Sequence, residues 1–177
     1  MNILLTGARG AGKTTVCRKL AEMARAKGFQ PQGVVCPALY DDVGIKVGFE
    51  AEDAGSGERW LLAHTDLESG GPQIGPYVFD SFGLARANGV LERACQGSEL
   101  LMLDEVGPLE LKRGEGFAPI LSILPLQGQG HVFIVVRPSL LAELRSRLGH
   151  DFSIYTVSEG NREVLPVHIG RELWPDD

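Results

Sequence analysis

The chain has 177 residues, 44% of them apolar, which is enough for one domain with a substantial buried core. Its 17 Lys and Arg against 23 Asp and Glu leave a net charge of −6 with no basic run, which argues against a nucleic-acid groove or an anionic membrane surface as partner. No stretch reaches the roughly 18 apolar residues of a membrane span, and Cys17, Cys36 and Cys95 have neither C-x-x-C nor zinc spacing, so they read as reduced thiols of a cytoplasmic protein.

The first predicted element is a short buried strand, Asn2-Ile3-Leu4-Leu5-Thr6. It feeds Gly7-Ala8-Arg9-Gly10-Ala11-Gly12-Lys13-Thr14, a full match to G-x-x-x-x-G-K-[ST]. Val16, Cys17, Leu20, Ala21 and Ala24 then recur at helical spacing and predict a helix from Thr14 to Lys27, stopped by Gly28. A strand, a glycine-rich turn and a helix N-terminus in that order point successive backbone N–H groups at one anion. Lys13 would carry an ammonium to the β- and γ-phosphates of a nucleotide, the Thr14 hydroxyl suits Mg²⁺, and Thr15 offers a further donor. The whole run from Gly7 to Thr15 is therefore the expected phosphate-binding segment. Because it starts within the first ten residues, no signal peptide is expected ahead of it.

Gln32 to Leu39, Gly44 to Ala51 and Glu58 to His64 read as strands joined by turns, a β-rich insertion over about 32–65 that would serve as a flap or lid. A loop over 68–72, an extended segment at 77–79 and a helix from Ser81 to Cys95 follow. The near-continuous apolar run from Glu99 to Glu105 suits a strand buried on both faces of a parallel sheet. Phe117 to Leu124 predicts a helix with Pro119 in its first turn, His131 to Val136 a buried strand, Pro138 to Leu148 a helix, and Phe152 to Val157 a last strand. This alternation predicts a single α/β domain over 1–177, helices layered on a mainly parallel sheet, with ligand at the strands' C-terminal edge.

Two carboxylates end the apolar run. Asp104 at such an edge can bind Mg²⁺ directly or through water, and Glu105 beside it can orient a water for in-line attack on the γ-phosphorus. Glu110 reads equally as a supporting partner of that pair or as a solvated loop acid. Arg137 ends the strand 131–136 and reaches the same edge if that strand is their neighbour, as a sensor of γ-phosphate charge or as a surface arginine opening a turn. Asn161 and Arg162 follow the last strand, where Asn161 would meet the base or ribose or else cap a helix. The four histidines lack mutual ligand spacing, so no metal is expected beyond the nucleotide's Mg²⁺.

Taken together, Gly7 to Thr15, Lys46-Val47-Gly48-Phe49, Gly57-Glu58, Tyr77-Val78 with Asp80, Asp104-Glu105-Val106-Gly107 with Glu110, and Asn161-Arg162 resemble the small P-loop nucleoside triphosphatases first described from thermophiles, a family that includes a human cancer-related member. The resemblance spans nearly the whole chain in order. It implies a RecA-like three-layer core and slow, Mg²⁺-dependent hydrolysis of ATP, GTP and other nucleoside triphosphates. Lys13 and Thr14 would hold phosphate and metal, Asp104 the metal, and Glu105 the water. Where the family often has arginine, this chain has Tyr40 and His64. Two other readings share the same loop: a kinase passing the γ-phosphoryl to a nucleoside, nucleotide or small metabolite, and a nucleotide-responsive adaptor whose insertion binds a partner protein.

Overall fold

A computed structural model describes residues 1–68, 70–128 and 130–175; Ser69, inside the predicted 68–72 loop, lies outside the described residues. Strand β1 (Asn2–Thr6) and helix α1 (Lys13–Ala26) flank the glycine-rich turn. After them come β2 (Pro31–Val35), β3 (Ala38–Tyr40), β4 (Lys46–Asp53), β5 (Arg59–His64), β6 (Gln73–Ile74), β7 (Tyr77–Phe79) and α2 (Ser81–Cys95). The remainder comprises β8 (Leu100–Val106), α3 (Pro108–Arg113), α4 (Ala118–Leu121), β9 (His131–Val136), a 3₁₀ turn over Pro138–Leu140, α5 (Leu141–Leu148), β10 (Ser153–Thr156) and α6 (Leu165–Leu173).

One sheet runs in the order β10-β1-β9-β8-β2-β4-β5-β7-β6, with β3 on β4. The first five strands are mutually parallel, and from β4 onward the pairings are antiparallel. Alternation within the strands divides the core between the two faces of the sheet. Leu4, Val34, Leu101, Leu103 and Ile134 turn toward α2, α4 and α5, whereas Ile3, Leu5, Leu100, Met102, Phe133 and Val135 turn toward α1 and α6. Strands buried on both faces need no polar alternation, which is why β1, β8 and β9 read as unbroken apolar runs.

The predicted strand 32–39 breaks into two. Pro37 has no N–H for a ladder and interrupts the strand, although both halves keep one antiparallel register on β4, Val35 opposite Glu52 and Ala38 opposite Phe49. Its first half, β2, is a parallel strand beside β8 and not part of an insertion, because Gly33 at φ 111° lets the backbone lie so close to β8 that a Cβ would stand 2.1 Å from the Met102 carbonyl oxygen. The antiparallel wing proper runs from β3 to β7. The predicted helix 117–124 shortens to α4, and the helix expected at Pro138 opens with the 3₁₀ turn. Three elements, β6, α3 and α6, had no counterpart in the sequence reading. The last of these buries Leu165, Ile169 and Leu173 against α1, while Trp174 stacks on Phe29 at 5.3 Å. No helix among the described residues is long and apolar enough to cross a membrane.

Candidate active site

The turn between β1 and α1 is closed to side chains where it bends. Gly7, Gly10 and Gly12 have φ of 154°, 78° and 106°, and a Cβ on Gly7 would lie 2.5 Å from the Val157 carbonyl oxygen beyond β10. Gly12 is also the N-cap of α1, whose first turn carries no acidic residue to offset the helix dipole. Lys13 Nζ donates to the carbonyls of Gly7 at 2.9 Å and Ala8 at 2.8 Å, so the ammonium sits against the loop it would share with a phosphate. The Ala11 N–H donates to the Ala8 carbonyl at 3.2 Å and holds the turn from within.

Thr14, at the start of α1, donates its hydroxyl to Asp104 Oδ2 at 3.1 Å, joining positions 90 residues apart. That oxygen also accepts from the Cys36 N–H at 3.1 Å, and Oδ1 from the Glu105 N–H at 2.9 Å. Asp104 is only 1% exposed. Burial, and after it the charge of Glu105, push its pKa up to about 7 against the opposing effect of those hydrogen bonds.

Glu105 is the one non-glycine residue with positive φ among the described residues, at 64°. The β8–β9 register shifts between Leu103 and Val106, so the strand bulges there and Glu105 faces the cleft beside Gly12, Lys13 and Thr14. Glu110 is not a solvated acid: it is 4% exposed and accepts from the N–H groups of Gly107 at 2.8 Å and Phe117 at 3.2 Å. Burial raises its pKa, and its carboxylate fixes the turn that follows Glu105.

The cleft encloses about 1080 Å³. Gly7, Arg9, Gly10, Gly12, Lys13, Thr14 and Thr15 line one side of it. Arg137 joins them, exposed at the end of β9, which lies between β1 and β8 and so meets the condition set by its position in the chain. Asn161 does not join them. Its Oδ1 accepts from the Ser158 N–H at 2.8 Å and its Nδ2 donates to the Thr156 carbonyl at 2.9 Å, so each end of the amide makes one bond that closes the turn after β10. The neighbouring Arg162 lays its aliphatic stem over the loop, where a Cβ on Gly12 would come within 2.9 Å of it. Tyr40 stands 63% exposed on the cleft rim, and His64 Nδ1 accepts from the Asp66 N–H at 3.0 Å, away from the lining. Sequence reasoning assigned no role to Lys46, Phe49 or Tyr77, which line the cleft from the wing; the only signal was their place in the motifs that carried the resemblance.

A glycine-rich phosphate loop bonded through Thr14 to the acidic end of a parallel strand defines a P-loop nucleotide-binding protein. The family model described as NTPase matches residues 2–170. A relative named Nucleoside-triphosphatase THEP1, from Thermofilum pendens, is 33% identical over 174 residues, covering 97% of this chain and 94% of its own length. A protein of the same name from Methanopyrus kandleri is 40% identical over 111 residues, an alignment that takes in 63% of this chain and 60% of that protein. The crystal structure of THEP1 from the hyperthermophile Aquifex aeolicus shares the fold, with a TM-score of 0.75 at 21% identity over 98% of this chain and 99% of that one. The chain belongs to this NTPase family.

Proposed function

We propose that the protein hydrolyses nucleoside triphosphates, ATP and GTP among them, to the diphosphate and phosphate in a Mg²⁺-dependent reaction. The observation that carries this is the Thr14–Asp104 hydrogen bond of 3.1 Å, with Glu105 turned into the same cleft. The names of the relatives support it. The donor set fits the metal: a hydroxyl and a carboxylate oxygen meet at one point, and the buried Asp104 carboxylate has no cationic hydrogen-bond partner among the described residues. One carboxylate and one hydroxyl, completed by substrate phosphates and water, are a usual ligand set for Mg²⁺. When bound, Mg²⁺ would neutralise charge on the β- and γ-oxygens.

Each residue then has a task. The loop N–H groups and Lys13 hold the phosphates in line, and Thr14 and Asp104 fix the metal. Glu105 accepts a hydrogen bond from the attacking water and takes its proton as the new P–O bond forms, while the bond from the γ-phosphorus to the β–γ bridging oxygen breaks and the electron pair leaves with the diphosphate. Arg137 balances charge on the γ-oxygens from the end of β9. A single catalytic domain is part of the same reading, supported by the one continuous sheet, and so is a cytoplasmic location, for which the free thiols of Cys17, Cys36 and Cys95 speak. Phosphate release with and without Mg²⁺, across ATP, GTP, CTP and UTP, tests it. Glu105→Gln should still bind triphosphate while turnover falls by about 10²–10⁴-fold; an unchanged rate removes Glu105 from the mechanism.

A further inference from the structure

The wing brings to the cleft a cation that this mechanism leaves unused. Lys46 opens β4, and its ammonium lies 4.0 Å from the centre of the Phe49 ring and 5.8 Å from that of Tyr77. The two rings tilt against each other at 4.8 Å. The Tyr77 hydroxyl accepts from Arg9 Nη2 at 3.2 Å and donates to the Lys46 carbonyl at 3.5 Å, so one side chain ties the phosphate loop to the start of β4.

The way Lys46 is held differs from that of two arginines nearby. Arg18, on the cleft wall, and Arg59, on β5, are both engaged by Glu52, at 2.6 and 2.7 Å. Lys46 has no carboxylate within ion-pair distance among the described residues. An aromatic face attracts an ammonium without capturing its N–H groups in strong hydrogen bonds, so the donors stay available to an anion. Burial draws the Lys46 pKa down, the charge of Glu105 opposes this, and Arg9 and Arg137 add to it. The groups that act on Lys46 are thus the ones that surround the expected γ-phosphate. The sheet order sets β8 and its carboxylates between the phosphate loop on β1 and this lysine on β4. A triphosphate anchored at the loop and reaching Asp104 and Glu105 therefore presents its far end to Lys46.

We propose that Lys46 is a further catalytic residue, a cation supplied by the wing that contacts the γ-phosphoryl oxygens and stabilises the charge they carry during transfer to water. The proposal rests on the hydrolase reading above. It makes the wing part of the catalytic apparatus despite Tyr40 and His64, because the cation comes from the first residue of β4.

Lys46→Met and Lys46→Arg in the full chain test it, with phosphate release measured beside affinities for a non-hydrolysable triphosphate and for the diphosphate. Lys46→Met should lower kcat by about 10²–10³-fold, the range for losing one preorganised charge-stabilising donor. It should also lose preference for the triphosphate while diphosphate affinity holds, and Lys46→Arg should recover much of both. A kcat for Lys46→Met close to that of the parent chain overturns the proposal, as does an equal loss of affinity for both nucleotides. If the parent chain releases no phosphate, the hydrolase reading fails by itself. The triphosphate-to-diphosphate comparison then decides the lysine contact: an unchanged preference overturns it, and a lost one supports it.

Discussion

Glu105 occupies a conformation that costs the fold about 1–3 kcal/mol for a residue with a Cβ. Such a cost at the end of a central strand makes sense if the carboxylate must leave the plane of the sheet to face a ligand. Glu105→Gly separates the two contributions. Glycine relieves the left-handed backbone, although the unfolded chain regains about 0.5–1 kcal/mol of entropy, so stability should hold or rise slightly while turnover collapses. Denaturant unfolding beside phosphate release checks this, and a clear loss of stability would show that the side chain has a structural task. The place of the acidic pair was legible in the sequence because two carboxylates ending a buried parallel strand emerge at the sheet edge that also holds the glycine-rich loop. Asn161 was not legible, since its amide serves equally well to close a turn or to read a base, and here it closes a turn. Lys46 gave no sign of its aromatic seat, because Phe49 is its strand neighbour but Tyr77 arrives from β7.

At the scale of elements, periodicity carried β1, α1, α2, β8 and β9, all of them long or apolar enough for one pattern to dominate. It failed where tertiary contact decides. Gly33 gives no local hint that β2 lies against β8, and α6 shows its buried stripe of Leu165, Ile169 and Leu173 only once α1 is there to cover it. The short helix α3 is a case of its own. Its N-terminus follows Glu105 by three residues, with Pro108 in its first turn and Glu110 reaching back to the Gly107 N–H. The two oxygens of Glu110 serve two buried N–H groups, a task that glutamine cannot copy because one of its ends is a donor. Glu110→Gln should therefore destabilise the chain by about 1–3 kcal/mol, the cost of leaving a buried donor unmatched. It should also slow turnover without Glu110 touching substrate, because the turn that aims Glu105 loosens. Thermal unfolding and kcat, measured on the same preparation, check both halves; an unchanged melting temperature would mean that water or a shifted backbone has taken the place of the lost acceptor.

Across the whole molecule, the site exists only because the sheet order brings the beginning and the middle of the chain together. Thr14 on α1 and Asp104 on β8 touch across two strand positions, with β9 between their strands and Arg137 at its end. Asp104 is buried, its carboxylate is held against Thr14, and the charge of Glu105 raises the cost of ionising it. A Mg²⁺–nucleotide complex bound there would relieve that repulsion while clamping α1 to β8, so it should stabilise the fold more than nucleotide or metal alone. At a ligand concentration of 100 times Kd the linkage is about 2.7 kcal/mol, and for a chain of this size that shifts Tm by about 5–10 °C. Thr14→Ala removes one of the two protein oxygens, so it should keep the nucleotide-only shift and lose the additional shift from Mg²⁺. Scanning calorimetry of the parent and Thr14→Ala chains, with diphosphate in Mg²⁺ or in chelator, makes the comparison without turnover to complicate it. Equal shifts in Mg²⁺ and chelator for the parent chain would mean that Thr14 and Asp104 hold one another and not a metal, and the convergence of loop and strand would then be structural alone.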